Sequence, residues 1–235
     1  MYGSYKIPFI IEKPDLSISL QKEKKGLTYR RDCMGETEEK VILSSGSEIL
    51  IQPVEPLNLP RQISTYLLLE FATTLIVEPQ SNSYVFITFP VEIGVLIGKK
   101  QKPDLLDIFS LNDHKYTLYG DPDKGIICKY WRTEIYREIP GTDPLEQGVM
   151  KLHLNNQSDS WIKVNKAVFK ATGMKIYYNT EMVSLKANMK IHDEEVAETE
   201  FINSGLAKGM KKSNELFTLR KLSVHSSKSV MLEGI

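Results

Sequence analysis

An apolar residue at every second position, sustained from Val183 to Ile191, dictates how this part of the chain folds. Val183, Leu185, Ala187, Met189 and Ile191 alternate with Ser184, Lys186, Asn188 and Lys190. That period of two belongs to a strand with one face buried and one in water. His192-Asp193-Glu194 follows as a turn, and Glu195 to Ile202 returns with Ala197, Thr199 and Phe201 on one side, which predicts a hairpin.

Similar signals recur upstream. Val41 to Leu43, Ile49 to Ile51, Thr65 to Phe71, Leu75 to Val77, Tyr84 to Phe89 and Val91 to Ile97 are rich in branched and aromatic residues. Ser44 to Ser47, Pro53 to Pro60, Pro79 to Ser83 and Lys99 to Asp104 separate them with turn formers. Helical periodicity is scarce. The expected fold is all-β, built as two antiparallel β-sandwich or partly open barrel domains with few short helices.

The clearest hairpin in the front half runs from Lys115 to Gly120, turns at Asp121-Pro122-Asp123-Lys124-Gly125, and returns over Ile126 to Tyr136. Pro122 sets φ for the second position of a type I turn, and Gly125 suits a left-handed position. Glu138 to Pro144 then interrupts every pattern, and new strands begin at Val149 to Leu154 and Trp161 to Phe169. This break predicts a boundary between a domain at 1–140 and an Ig-like sandwich at 146–235. The tail from Asn203 to Ser213 reads as loop or a short helix, with further strands at Glu215 to Val224 and Ser229 to Leu232.

Charge excludes little but narrows the field. Lys plus Arg and Asp plus Glu both total 30, so no global field draws in polyanions or anionic membranes. Cutting at Pro140 leaves 17 basic and 19 acidic residues ahead and 13 and 11 behind, so neither half is a polyelectrolyte and nucleic acid is not the expected partner. Cys33 and Cys128 are too few and too distant for a disulfide framework or a metal cage. The first residues carry no basic region with an apolar core, and no apolar run reaches the roughly 18 residues of a membrane span. A cytoplasmic setting with free thiols is expected.

Tyr2-Gly3, Tyr29-Arg30-Arg31, Pro53 to Pro60, Phe89 to Val95 and Lys115 to Gly120 carry a resemblance over the whole chain. Lys129-Tyr130-Trp131, Gly173 to Tyr178, Ala197 to Glu200 and the ending Met231 to Ile235 extend it. Together they resemble an archaeal family of domains of unknown function, common in methanogens. The resemblance implies a prokaryotic cytoplasmic protein and brings no catalytic residues.

Motifs for chemistry are missing. Gly94 to Lys100 falls one residue short of a phosphate-binding loop, has no following Ser or Thr, and runs into Pro103. His114, His153, His192 and His225 lack metal-ligand spacing, and no nucleophile elbow is present. No cofactor, metal or catalytic residue is assigned.

Two sets of residues are candidate binding groups. Glu55, Glu78 and Glu92 sit in apolar runs, where a carboxylate must reach water, a cation or hydrogen-bond donors. One reading pairs them with Arg30, Arg31 or Arg61 or exposes them at alternate strand positions; the other has Glu55 and Glu92 lining a polar pocket. The hairpin interleaves Tyr116, Tyr119, Lys129, Trp131 and Arg132, a basic and aromatic mixture that suits partner contact. Alternation divides these groups between two faces. The residues thus favour a non-enzymatic binding or interaction protein that meets a protein partner or a second copy through the hairpin. The alternative is a small-ligand or carbohydrate-type binder, or an enzyme, using the carboxylates.

Overall fold

Apolar alternation recurs through the computed structural model of the protein, which describes residues 1–43, 48–60, 63–98, 103–216 and 228–235. In chain order the first strands are β1 (Gly3–Tyr5), β2 (Phe9–Lys13), β3 (Leu16–Glu23), β4 (Gly26–Cys33), β5 (Glu36–Ile42), β6 (Glu48–Val54), β7 (Tyr66–Val77), β8 (Ser81–Pro90), β9 (Glu92–Gly98) and β10 (Asp104–Phe109). There follow β11 (Tyr116–Tyr119), β12 (Ile126–Thr133), β13 (Gln147–Asn156), β14 (Ile162–Lys170), β15 (Tyr177–Tyr178), β16 (Val183–Ile191), β17 (Ala197–Ile202), β18 (Lys211–Lys212) and β19 (Ser229–Met231). One 3-10 turn, Ala171–Gly173, is the helical structure among the described residues. No helix there is long and apolar enough to cross a membrane. The protein is all-β. The expected turn at Ser44 to Ser47, the first four residues of the turn expected over Lys99 to Asp104, Arg61, His225, and all but the first two residues of the strand expected over Glu215 to Val224 lie outside the described residues.

The chain divides into two units, 1–52 with 93–111 and 53–92 with 112–235. The division differs from a cut at Pro140 to Pro144. That segment lies inside the second unit, because β8 ahead of it pairs with β13 behind it from Ser81↔Asn156 to Pro90↔Gln147. Likewise β7 pairs with β14. The proline-bearing break therefore marks an irregular connection within one unit, and 1–140 and 146–235 share sheets.

The first unit holds a sheet in the order β1-β6-β9-β10 and a meander, β2-β3-β4-β5. Leu16, Ile18 and Leu20 alternate on β3 and pair with Cys33, Arg31 and Tyr29 of β4, and all six are buried. Arg31 is tolerated in this row because its Nε donates to Asp107 Oδ2 at 2.7 Å, with the guanidinium 5.0 Å from the Phe109 ring centre. Tyr29 donates to the same carboxylate oxygen at 2.8 Å, so the buried charge is paired and hydrogen-bonded.

The second unit contains a four-stranded sheet, β11-β12-β7-β14, and a seven-stranded sheet, β18-β15-β16-β13-β8, with β17 beside β16 and β19 beside β17. Each holds one parallel ladder, β12 with β7 and β13 with β16, among antiparallel ones. Both parallel pairs join strands far apart in sequence, a geometry that long connections permit, and the remaining ladders are antiparallel as expected. Apolar side chains of the large sheet, including Leu152, Leu154, Leu185, Ala187 and Met189, are buried on one face. Phe169 of β14 stacks on Phe201 of β17 with ring centres 5.0 Å apart, joining the two sheets. The hairpins expected over Lys115 to Tyr136 and Met182 to Ile202 both form, the first with its return strand ending at Thr133.

Candidate functional site

The proline-framed segment from Pro53 to Pro60 leaves β6 and carries backbone groups that no sheet satisfies. Side chains from neighbouring strands take them up. Glu92, at the start of β9 and fully buried, accepts from the Asn58 amide at 2.9 Å and the Leu59 amide at 3.3 Å. Lys129 of β12, 3% exposed, donates to Glu92 Oε1 at 3.0 Å and to the Leu59 carbonyl at 3.2 Å. Tyr116, which faces Lys129 in the β11–β12 register, donates to the same carbonyl at 3.0 Å.

The third proton of Lys129 goes to Nδ1 of the exposed His114, 2.9 Å away, so the neutral ring carries its own proton on Nε2. An ammonium has three donors and no acceptor. All three are spent, and both Glu92 oxygens are occupied. Burial pushes the Glu92 carboxyl upward, while Lys129 and the loop amides act in the opposite sense. The assembly clasps the 53–60 segment and leaves none of the three Lys129 donors for a ligand.

Glu55 is different. It is 2% exposed; one oxygen accepts from the Leu216 amide at 3.4 Å, and Oε1 has no hydrogen-bond partner. Burial first, with the charges of Glu215 and Glu92 adding to it, raises its pKa to about 7. Glu55, Glu92, Tyr116 and Lys129 thus belong to one buried polar centre, although only carboxylates were expected there. The expected arginine partners are otherwise engaged: Arg30 pairs with Asp32 and Arg31 with Asp107. Glu78 is exposed.

The rest of the hairpin is spread over separate duties. Tyr119 is 6% exposed; its hydroxyl donates to the Gly234 carbonyl and accepts from the Glu233 amide, both at 3.1 Å. Trp131 donates through Nε1 to Thr88 Oγ1 at 3.1 Å. Arg132 is exposed. Tyr119, Trp131 and Arg132 therefore do not join Glu55 and Glu92. Among the described residues no three His, Cys, Asp or Glu side chains converge as metal ligands.

A second place comes from positions not singled out in the sequence. On the solvent face of the seven-stranded sheet, Tyr84, His153, Asn188 and Glu200 occupy one cross-strand row on β8, β13, β16 and β17. Asn82, Asn155, Lys190 and Glu198 form the next row. A groove of about 480 Å³ runs here. Ser83, Leu154 and Met189 also line it; their side chains alternate to the other face, so they contribute main chain as a floor. Tyr84 is 51% exposed, and Lys151 places Nζ 3.7 Å from its ring centre. Burial, then the charges of Lys151 and Lys186, pushes the pKa of His153 down, so the imidazole is neutral near pH 7. The polar halves of β13 and β16 were visible in the alternation, but only pairing with β8 and β17 brings them into one groove.

The fold and these sites define an all-β protein with mixed-sheet architecture, a buried ionic centre and an open polar groove among the described residues. A family model described as "Protein of unknown function (DUF432)" matches residues 1–233, and the chain belongs to that family. No curated protein and no solved structure matches it.

Proposed function

We propose that this is a non-catalytic binding protein that takes a polar ligand in the groove across β8, β13, β16 and β17. The observation that carries this reading is the groove itself, walled by groups with unspent hydrogen-bonding capacity. Asn82, Asn155 and Lys190, which line it, make no side-chain hydrogen bond or ion pair among the described residues, in contrast to the saturated centre around Lys129. Binding sites combine concavity with a few convergent polar groups, and the groove meets both conditions. The free, buried thiols of Cys33 and Cys128 are consistent with a reducing cytoplasm.

The test is a thermal-shift panel of saccharides, organic acids, amino acids and nucleotides on the wild type and on Tyr84→Ala/Asn155→Ala. At least one compound class should raise the wild-type Tm by several degrees and leave the variant unmoved. No shift with any class, or equal shifts in both proteins, overturns the reading.

A specific observation favours partner contact as a second reading. Leu118 and Ile127 face each other across the β11–β12 hairpin and are 43% and 51% exposed. A second copy docking on this apolar pair would dissociate on Leu118→Lys, which sedimentation velocity detects. A wild-type monomer at high concentration rejects it.

A further inference from the structure

We infer that the groove on the seven-stranded sheet is a subsite for an uncharged, linear oligosaccharide, an inference that rests on the binding role proposed above and names its ligand class. Shape comes first. Four adjacent strands spaced ~4.8 Å apart give the groove a run of about 14 Å across the sheet, longer than a single pyranose ring. It lies open along the solvent face, so a chain ligand can lie across it and continue at both ends, whereas a nucleotide or an amino acid favours an enclosed pocket.

The lining chemistry points the same way. Asn82 and Asn155 face each other on β8 and β13, and Asn155 faces Lys190 on β16. A carboxamide offers a donor pair and an acceptor side by side, which matches two vicinal hydroxyls, each of them donor and acceptor. Tyr84 stands in the next row with half its surface exposed, and an aromatic face carries the negative side of its quadrupole. Lys151 Nζ stands over one side of the ring, and the C–H face of a sugar ring complements the side it leaves open. Tyr84 is fixed rather than loose, held edge-to-face with Phe86 at 5.8 Å between ring centres and beside the His153 ring at 6.0 Å.

Charge separates this ligand from a polyanion. Lys151, Lys186 and Lys190 on this face are set against Glu198 and Glu200 on the β17 side, a difference of one charge. Lys151 is turned onto the Tyr84 ring. A phosphate chain crossing toward β17 would meet both carboxylates, whereas neutral hydroxyls can pair with either sign. Cleavage of the sugar chain is not part of the assignment. Glycosidases place two carboxyl groups on opposite sides of the scissile bond, but Glu198 and Glu200 share one strand, and of the two only Glu200 lines the groove. Glu200 is also engaged by Asn188 Nδ2 at 3.4 Å, and Glu198 lies 3.3 Å from His192 Nε2.

Isothermal titration of the full chain with cellohexaose, mannohexaose and maltohexaose tests this, with a thymidine dodecanucleotide as the anionic comparison. At least one hexasaccharide should bind with an affinity unchanged between low and high salt. Tyr84→Ala and Asn155→Ala should each weaken it about tenfold or more, with circular dichroism and Tm unchanged because both side chains stand on the solvent face. The hexasaccharide should reach the wild type intact after prolonged incubation. Absence of heat with all three sugars overturns the assignment. If the dodecanucleotide binds instead, with a steep salt dependence and loss in the same variants, the ligand class is wrong and the groove reading stands. Failure of every compound class in the thermal-shift panel as well removes both.

Discussion

Two buried glutamates a short distance apart behave oppositely because of what surrounds them. Glu92 meets Lys129 and two backbone amides, whereas Glu55 keeps one oxygen without a donor. The proton linkage of Glu55 follows from its pKa of about 7 against an ordinary value of 4.5. The folded state holds this proton more tightly than the unfolded chain, so its stabilising contribution is complete below pH 4.5. It is lost as pH rises through about 7. At ~1.4 kcal/mol per pH unit of separation the loss is on the order of 3 kcal/mol. Glu55→Gln should flatten urea-unfolding stability between pH 5 and 8 and make the variant more stable than the wild type at pH 8. Unchanged pH dependence contradicts this account of Glu55. For the clasp, Lys129→Met and Glu92→Gln should each cost about 3–5 kcal/mol, since each strands a buried partner. Lys129→Met/Glu92→Gln should cost clearly less than their sum, and an additive double-mutant cycle would rule out a coupled pair.

Strands illustrate which parts of a fold are legible locally. The 116–133 hairpin and the β16–β17 pair were readable because alternation and turn chemistry coincide in one short stretch. Of the meander β2–β5 only the end of β5, at Val41 and Ile42, is legible in the sequence; Leu16, Ile18 and Leu20 alternate, but Gln21 to Lys25 breaks the pattern almost at once. Residues 65–71 and 75–77 were read as two strands but belong to one, β7; the small polar Ala72-Thr73-Thr74 lies exposed or half-exposed within it, opposite a register shift between Val164 and Lys166 of β14. The discontinuous units were beyond local reading, since Pairing of β8 with β13 and of β7 with β14 joins segments separated by the irregular Pro140 region. Gly148 provides an element-scale prediction. A Cβ there would stand 2.2 Å from Cζ of Phe89, its register partner, and Phe89 is fully buried. Gly148→Ala should destabilise the protein by about 1–3 kcal/mol through overpacking, read from the midpoint of chemical unfolding. A neutral result would show that the β8–β13 ladder can open at this point.

At the scale of the molecule, Glu55 and Glu92, singled out in the sequence, lie in the buried centre, whereas the groove residues draw no notice in the sequence. Glu55 and Glu92 stood out because charge in an apolar run demands an explanation. Tyr84, Asn155 and Asn188 are ordinary solvent-side strand residues until four strands, drawn from 82–84, 153–155, 188–190 and 198–200, lie side by side. Balanced overall charge, which argued against nucleic acid, recurs on the groove face as lysines set against two glutamates. The central claim is that this face, rather than the carboxylate centre, meets the ligand. Amide chemical-shift mapping of the isotopically labelled full chain during titration with the hexasaccharide that binds tests it most directly. The account predicts shifts confined to β8, β13, β16 and β17 around Tyr84, His153 and Asn188. Shifts centred instead on Asn58, His114 and Lys129 would contradict it.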